Sequence, residues 1–101
     1  AIYGSRYEAL VANKASAEAT ELVTLAGRYC ESGDVLIKDI MLPTLEPGDV
    51  LAVPASGAYC IAMSSNYNAS LKPAIVLVKD GQAHLIRRRE TYNDLMDLDA
   101  L

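Results

Sequence analysis

A thiol and a carboxylate stand side by side in the middle of the chain, as Cys30 and Glu31, and the sequence Ser-Gly-Asp follows them. A thiol can give or take a proton and an adjacent charge can bind an amine, so this pair has the chemistry of part of an active site. The competing interpretation is that Cys30 is a small buried hydrophobic residue, as most cysteines outside disulfides are. The residue types alone leave both interpretations open.

The segment around this pair predicts a tight turn between two strands. Ser32-Gly33-Asp34 is turn chemistry, because glycine takes positive φ while serine and aspartate satisfy local amides. An apolar run from Leu22 to Ala26 precedes the pair, and another from Val35 to Ile37 follows it. Two flanking strands would therefore hold Cys30 and Glu31 at the turn.

The rest of the chain predicts a mainly β fold. Asp80-Gly81 between two apolar runs is the strongest short-range signal of a hairpin, and Glu46-Pro47-Gly48-Asp49 is typical of a type II turn. Short strands at fairly regular spacing predict a single β-barrel or sandwich domain of Greek-key type with short helices, spanning residues 1–101. The predicted strands cover 7–12, 20–26, 34–42, 50–53, 74–79 and 82–88, with a short helix or irregular turn over 57–68 and a terminal helix over 91–101 capped by Thr91.

Length and charge narrow the classes of function. The chain has 101 residues, which is enough for one domain with a modest core, and its net charge is −4. That charge argues against nucleic-acid binding, which needs a basic face, and the cluster Arg87-Arg88-Arg89 leads into acidic residues, which indicates a solvated strand end. No apolar run approaches the ~20 residues that span a bilayer. One histidine and no Cys-x-x-Cys motif leave no obvious metal ligand set, so we expect a soluble, reduced, cytoplasmic protein.

Five blocks of the sequence, taken in order, carry a likeness to a known family. They are Tyr29–Asp34, Leu45–Asp49, Gly57–Tyr59, Met63–Asn68 and Leu85–Tyr92. Together with Ile2-Tyr3-Gly4 at the start of the chain, these blocks resemble the carboxy-terminal part of the diaminopimelate decarboxylases. Five ordered blocks across nearly the whole chain are a far more specific signal than any one block.

The resemblance implies the second domain of a two-domain pyridoxal-phosphate enzyme that converts meso-diaminopimelate to L-lysine and CO₂. In such enzymes an amino-terminal α/β barrel carries the Schiff-base lysine, and a carboxy-terminal β domain, resembling that of alanine racemase, completes the site and the homodimer. The chain begins at Ala1 without a methionine, and its lysines match no Schiff-base motif of the family. We therefore expect a fragment that is inactive alone. The lysines are Lys14, Lys38, Lys72 and Lys79.

The same resemblance implies roles for four residues. Cys30 matches a cysteine that enters the partner subunit's site and protonates Cα after CO₂ leaves, and a thiol with an unperturbed pKa near ~8.5 is a competent acid at neutral pH. Glu31 matches the residue that binds the distal ammonium of the substrate, where ornithine-type enzymes carry aspartate. Tyr59 matches a tyrosine that contacts cofactor and substrate, and Tyr3 matches one that helps to hold a substrate carboxylate. Cys60 matches no such residue and is predicted to pack.

Other interpretations stay open at this point. The chain could belong to a decarboxylase of another basic amino acid, or it could be a non-catalytic β-barrel binding module that kept the motifs. For Tyr3 and Tyr59, the alternative is core packing with a satisfied hydroxyl. The leading interpretation names a small amino-acid substrate and a homodimer partner, with no nucleic acid, membrane or metal.

Overall fold

The computed structural model describes residues 4–100, and within them the prediction of a mainly β chain with short helices is confirmed. Two short helices interrupt the strands, α1 (Gly57–Cys60) and α2 (Tyr92–Met96), and single 3₁₀ turns cover Ala12–Lys14 and Tyr67–Ala69. The strands are β1 (Leu10–Val11), β2 (Glu21–Ala26), β3 (Val35–Leu42), β4 (Leu51–Ala52), β5 (Ile75–Lys79) and β6 (Gln82–Arg87).

The strands form three antiparallel pairs, β1 with β4, β2 with β3, and β5 with β6. Across residues 4–100 each sheet has two strands, so the sheets are not closed into a barrel, and the Greek-key arrangement is not confirmed. β1 and β4 are also shorter than the sequence predicts. The backbone turns into a 3₁₀ helix at Ala12, and Pro54 brings a residue without an N–H donor soon after β4.

The chain divides into two compact units, the first ending at Ile61 and the second beginning at Ala62. The first unit has a small apolar core made of Val11, Leu25 and Leu42. These three residues come from β1, β2 and β3, so the core fixes the two strands that flank the predicted Cys30 turn. Partly buried residues pack around it, namely Ala9, Val23, Ile37, Ile40 and Leu45.

β3 carries two extra residues relative to β2, and both fall near the turn that joins the strands. Between the pairs Val23–Ile40 and Leu25–Ile37, β2 has one residue and β3 has two. Asp39, one of those two, has a φ of 55°, which is the left-handed conformation that a bulge can require. A bulge bends its strand and increases the local twist of the pair.

The second unit is built around the β5–β6 hairpin. Asp80 and Gly81 both have positive φ, at 52° and 73°, as a type I′ turn requires, so the predicted hairpin is confirmed. Thr91 caps α2 as predicted, in a capping box with Asp94. Arg88 adds a bidentate ion pair to Asp94, with N–O distances of 2.6 and 2.7 Å. The arginine cluster thus leads into an acidic helix, as its sequence indicates.

The predicted type II turn at residues 46–49 is also confirmed. Gly48 has a φ of 98°, and the amide of Asp49 donates to the carbonyl of Glu46 at 3.1 Å. The Asp49 carboxylate accepts hydrogen bonds from Lys14 Nζ at 2.8 Å, from Asn13 Nδ2 at 2.7 Å and from the Glu46 amide at 2.8 Å. These contacts tie the turn to the 3₁₀ helix after β1.

Acid should weaken the first unit through Asp49. The hydrogen bonds from Lys14, Asn13 and Glu46 lower the pKa of this carboxyl from 3.8 to about 2. Since the folded pKa lies below the unfolded one, Asp49 stabilises the fold fully above about pH 4. That contribution is lost as the pH falls towards the folded pKa of about 2.

Urea unfolding of the 101-residue chain over this pH range tests the prediction. Asp49→Asn should be less stable than the wild type at neutral pH and should lose less stability on acidification, whereas Asp99→Asn, which removes an exposed carboxylate from the end of the chain, should follow the wild type. Parallel stability curves for the wild type and Asp49→Asn would contradict the assignment.

Candidate functional site

The loop between β2 and β3 presents Cys30 and Glu31 together on the surface of the first unit. Both residues are exposed, and Cys30 is not in a disulfide. The interpretation of Cys30 as a buried packing residue is therefore wrong in this chain. Two flanking strands and a turn hold the pair, as the sequence predicts.

Backbone hydrogen bonds close this loop at both ends. The amide of Gly27 donates to the carbonyl of Asp34 at 2.8 Å, where β2 ends and β3 begins. Inside the loop, the amide of Asp34 donates to the carbonyl of Glu31 at 3.0 Å and that of Val35 to the carbonyl of Gly33 at 2.8 Å. A short loop with its ends bonded in this way holds its side chains in a restricted set of directions.

The Glu31 carboxylate is oriented by its own loop. Its Oε1 atom accepts a hydrogen bond from the Gly33 amide at 3.1 Å and one from Ser32 Oγ at 3.4 Å. A carboxylate has two oxygens and about four lone-pair positions, so these contacts leave it the capacity to accept further hydrogen bonds from an ammonium group.

Tyr59 lies on a separate element, the one-turn helix α1, and is 71% exposed. Ser56 precedes the helix, where its hydroxyl donates to the carbonyl of Val53 at 3.1 Å and its carbonyl accepts from the amide of Cys60 at 3.2 Å. The exposure excludes core packing of Tyr59 within this chain. Tyr3 lies outside the described residues.

Cys60 is exposed too, so the prediction that it packs is wrong. Its Sγ atom lies 4.0 Å from the hydroxyl of Tyr7, and this contact raises the pKa of Tyr7. Tyr7 also lines a shallow cavity of about 250 Å³ together with Arg6, Glu8, Pro54 and Ala55. Sequence reasoning missed this cavity because its walls come from two separate segments.

The two motif blocks of the second unit meet through Glu90. Its Oε2 atom accepts hydrogen bonds from Asn66 Nδ2 and from the Lys72 amide, each at 2.7 Å. These contacts lower the pKa of Glu90, chiefly through the Lys72 amide. Asn66 therefore joins the Ser-Ser-Asn-Tyr-Asn segment to the segment that follows β6. This arrangement is structural, and the sequence gives no sign of it beyond the two motifs.

Other kinds of site find little support in the part of the chain that the structure describes. Between residues 4 and 100 no group of histidine, cysteine or carboxylate side chains is arranged to hold a metal ion. Within the same residues no helix has the length and apolar character that crossing a membrane requires.

Comparison with known proteins matches residues 1–57 to the family described as pyridoxal-dependent decarboxylase, C-terminal sheet domain. The diaminopimelate decarboxylase of Synechocystis is 54% identical over 98% of the chain, and that of Bacillus subtilis is 48% identical over 98%. The chain covers 21% and 23% of those two proteins, so it spans about a fifth of the length of these curated relatives.

Solved structures agree with the sequence relatives. A crystal structure of diaminopimelate decarboxylase from M. jannaschi matches 99% of the chain with a TM-score of 0.85 and 41% identity, and the chain covers 23% of it. The enzyme from Helicobacter pylori, complexed with L-lysine, matches 96% of the chain with a TM-score of 0.82 and 34% identity, and the chain covers 24% of it.

Proposed function

This chain belongs to the pyridoxal-dependent decarboxylase family, through the C-terminal sheet domain, and on that premise we propose that it is the β domain of a diaminopimelate decarboxylase. The reaction would convert meso-diaminopimelate to L-lysine and CO₂. The observation that carries the proposal is the exposed loop on which a thiol and an oriented carboxylate stand side by side, Cys30 and Glu31. Relatives that match nearly the whole chain and are named diaminopimelate decarboxylases support it.

Within this proposal each residue has a distinct task. Cys30 donates a proton to Cα of the substrate after CO₂ has left. Glu31 accepts hydrogen bonds from the distal ammonium, the group that sets diaminopimelate apart from substrates without a second amine. Tyr59, exposed on α1, contacts the cofactor and the substrate, and Tyr3 helps to hold a substrate carboxylate.

Pyridoxal phosphate would supply the electron sink that makes loss of CO₂ feasible. The residues present fit a supporting role toward such a group, since an exposed phenol such as Tyr59 can contact it. A Schiff-base role suits Lys14 poorly, because its Nζ atom is engaged by Asp49 at 2.8 Å and by the Thr44 carbonyl at 3.1 Å. The four lysines of this chain match no Schiff-base motif of the family, so the lysine that binds the cofactor is assigned to the rest of the longer protein.

The proposal also covers how this domain is completed by the rest of the protein and by a partner subunit. Residues 1–101 form one β domain, and strands from the remainder of the protein or from its partner subunit would close the sheets into the Greek-key barrel. Several large apolar side chains support this, being more than half exposed in the chain alone: Leu22, Leu77, Val78, Leu85 and Ile86. A homodimer would carry Cys30 and Glu31 into the partner subunit's site, and the protein would act in the cytoplasm.

Assay of the full-length protein tests this function. With pyridoxal phosphate and meso-diaminopimelate we expect release of CO₂ and formation of L-lysine in equal amounts. Ornithine and arginine should be poor substrates, because Glu31 stands where ornithine-type enzymes carry aspartate. The 101-residue chain alone should release no CO₂, since it lacks the cofactor lysine. Preference of the full-length protein for ornithine or arginine would overturn the assignment of substrate, and no decarboxylation of any of the three would overturn the enzyme.

A further inference from the structure

The carboxylate of Asp34 reaches back across the loop that carries Cys30. Its Oδ2 atom accepts a hydrogen bond from the backbone amide of Tyr29 at 2.9 Å. The backbone amide of the same aspartate donates to the carbonyl of Glu31 at 3.0 Å. Asp34 thus bonds to the residue on either side of Cys30, once through its side chain and once through its main chain.

Gly27 makes room for this carboxylate. A Cβ atom built on Gly27 would overlap both Oδ1 and Oδ2 of Asp34, so any other residue at this position would displace the carboxylate or the strand end. The amide of Gly27 also donates to the carbonyl of Asp34 at 2.8 Å. Glycine is required here because the Asp34 carboxylate fills the space that a side chain at this position would take.

We propose that Asp34, seated against Gly27, is a positioning residue that fixes the direction in which the loop presents Cys30 and Glu31. The inference rests on the proposed function for its catalytic consequence. Asp34 is half-buried at the base of the loop, and it acts by holding the Tyr29 amide. Without that acceptor the Tyr29 amide would turn to water, and the segment that follows would sample several directions. Cys30 and Glu31 would then lose their shared orientation together.

Hydrogen exchange tests the structural half of the inference without any need for activity. In the full-length protein, Asp34→Ala should strongly accelerate exchange of the Tyr29 amide. Asp34→Asn should preserve most of the protection, because its Oδ1 atom can still accept that hydrogen bond. The matched control is Asp49→Ala, which removes another carboxylate that accepts a backbone amide in the same unit and should leave the Tyr29 amide unchanged. Unchanged protection of Tyr29 in Asp34→Ala would overturn the inference.

Kinetics test the catalytic half. Asp34→Ala should lower kcat/KM for meso-diaminopimelate by about tenfold, short of the ~10²-fold that a misplacement of 1 Å can cost. Asp34→Asn should stay within about threefold, since a neutral acceptor weakens the contact without removing it. Asp49→Ala should lose thermal stability but keep kcat/KM, so that lower stability alone does not account for a loss of activity.

Gly27→Ala provides an independent test of the same inference. It should reproduce the kinetic loss of Asp34→Ala, because the added methyl group displaces the carboxylate. In an Asp34→Ala background the same methyl should cost little more, since the oxygens it would meet are gone. Additive losses would overturn the coupling between the two residues.

The outcomes separate this inference from the proposed function. If the wild type releases no CO₂, the proposed function fails, while the exchange of the Tyr29 amide still decides whether Asp34 holds the loop. If the wild type is active and Asp34→Ala keeps its kcat/KM despite faster Tyr29 exchange, the positioning role in catalysis fails and the enzyme assignment stands.

Discussion

Replacing Cys30 with alanine in the full-length protein should lower the kcat of the proposed decarboxylation by ~10²–10⁴, the range expected when a general acid is removed. Binding of pyridoxal phosphate should stay normal, because the thiol is assigned to the proton at Cα and to no contact that holds the cofactor. Steady-state kinetics and the cofactor's visible absorbance measure the two quantities separately. A full kcat in Cys30→Ala would exclude Cys30 as the proton donor.

Cys60 offers a matched control for this experiment. It is the second cysteine of the chain, and it is likewise exposed and outside any disulfide. Its contact is with the hydroxyl of Tyr7, and no step of the proposed reaction is assigned to it. Cys60→Ala should therefore keep a kcat near that of the wild type. A large loss in both variants would point to a general effect of removing cysteines rather than to a proton donor.

Mixed dimers test whether Cys30 acts across the subunit interface. A Cys30→Ala subunit mixed with a subunit lacking the Schiff-base lysine should regain activity, because one of the two sites in such a dimer receives both intact groups. With random mixing, half of the dimers carry one good site each, so recovery should approach roughly a quarter of the wild-type activity. A mixture as inactive as its two parents would show that Cys30 serves its own subunit.

Local chemistry made β2, β3 and the β5–β6 hairpin predictable. Asp80-Gly81 fits a type I′ turn because both residues tolerate positive φ, and Gly48 serves the type II turn in the same way. The ends of β1 and β4 were not predictable from their apolar runs. They depend on tertiary contacts such as the hydrogen bond from the Ala12 amide to the Val50 carbonyl, which joins residues far apart in sequence.

The position of the candidate site was predictable from the sequence, but the contacts that hold its loop were not. Ser-Gly-Asp places a turn after Cys30 and Glu31 because its preferences are local. The contact of Asp34 with Gly27 depends on β3 returning beside β2. No spacing in the sequence indicates that the residue seven positions before Asp34 has to be a glycine. The exposure of Cys60 was missed because the residue matches no functional position of the family, and a cysteine without a role is expected to be buried.

Glu31 should decide how well the enzyme uses diaminopimelate. A charge-assisted hydrogen bond contributes ~1.5–3 kcal/mol, so losing it should lower kcat/KM by roughly 10- to 150-fold. Glu31→Asp tests reach, because it draws the carboxylate back by one methylene while keeping the charge. Glu31→Gln tests charge, because its carbonyl can still accept the Gly33 amide that orients the wild-type side chain at 3.1 Å. Both variants should keep normal cofactor binding.

A substrate without the distal ammonium completes this test. 2-Aminopimelate has the same carbon chain and both carboxylates, so the wild-type enzyme should use it less well than diaminopimelate by about the factor lost in Glu31→Gln. For Glu31→Gln itself the two substrates should be used almost equally, because the charge that distinguishes them is gone. Glu46→Gln, which changes a largely exposed carboxylate of the same unit, should discriminate like the wild type. If Glu31→Gln still prefers diaminopimelate by the wild-type factor, another residue binds the distal ammonium.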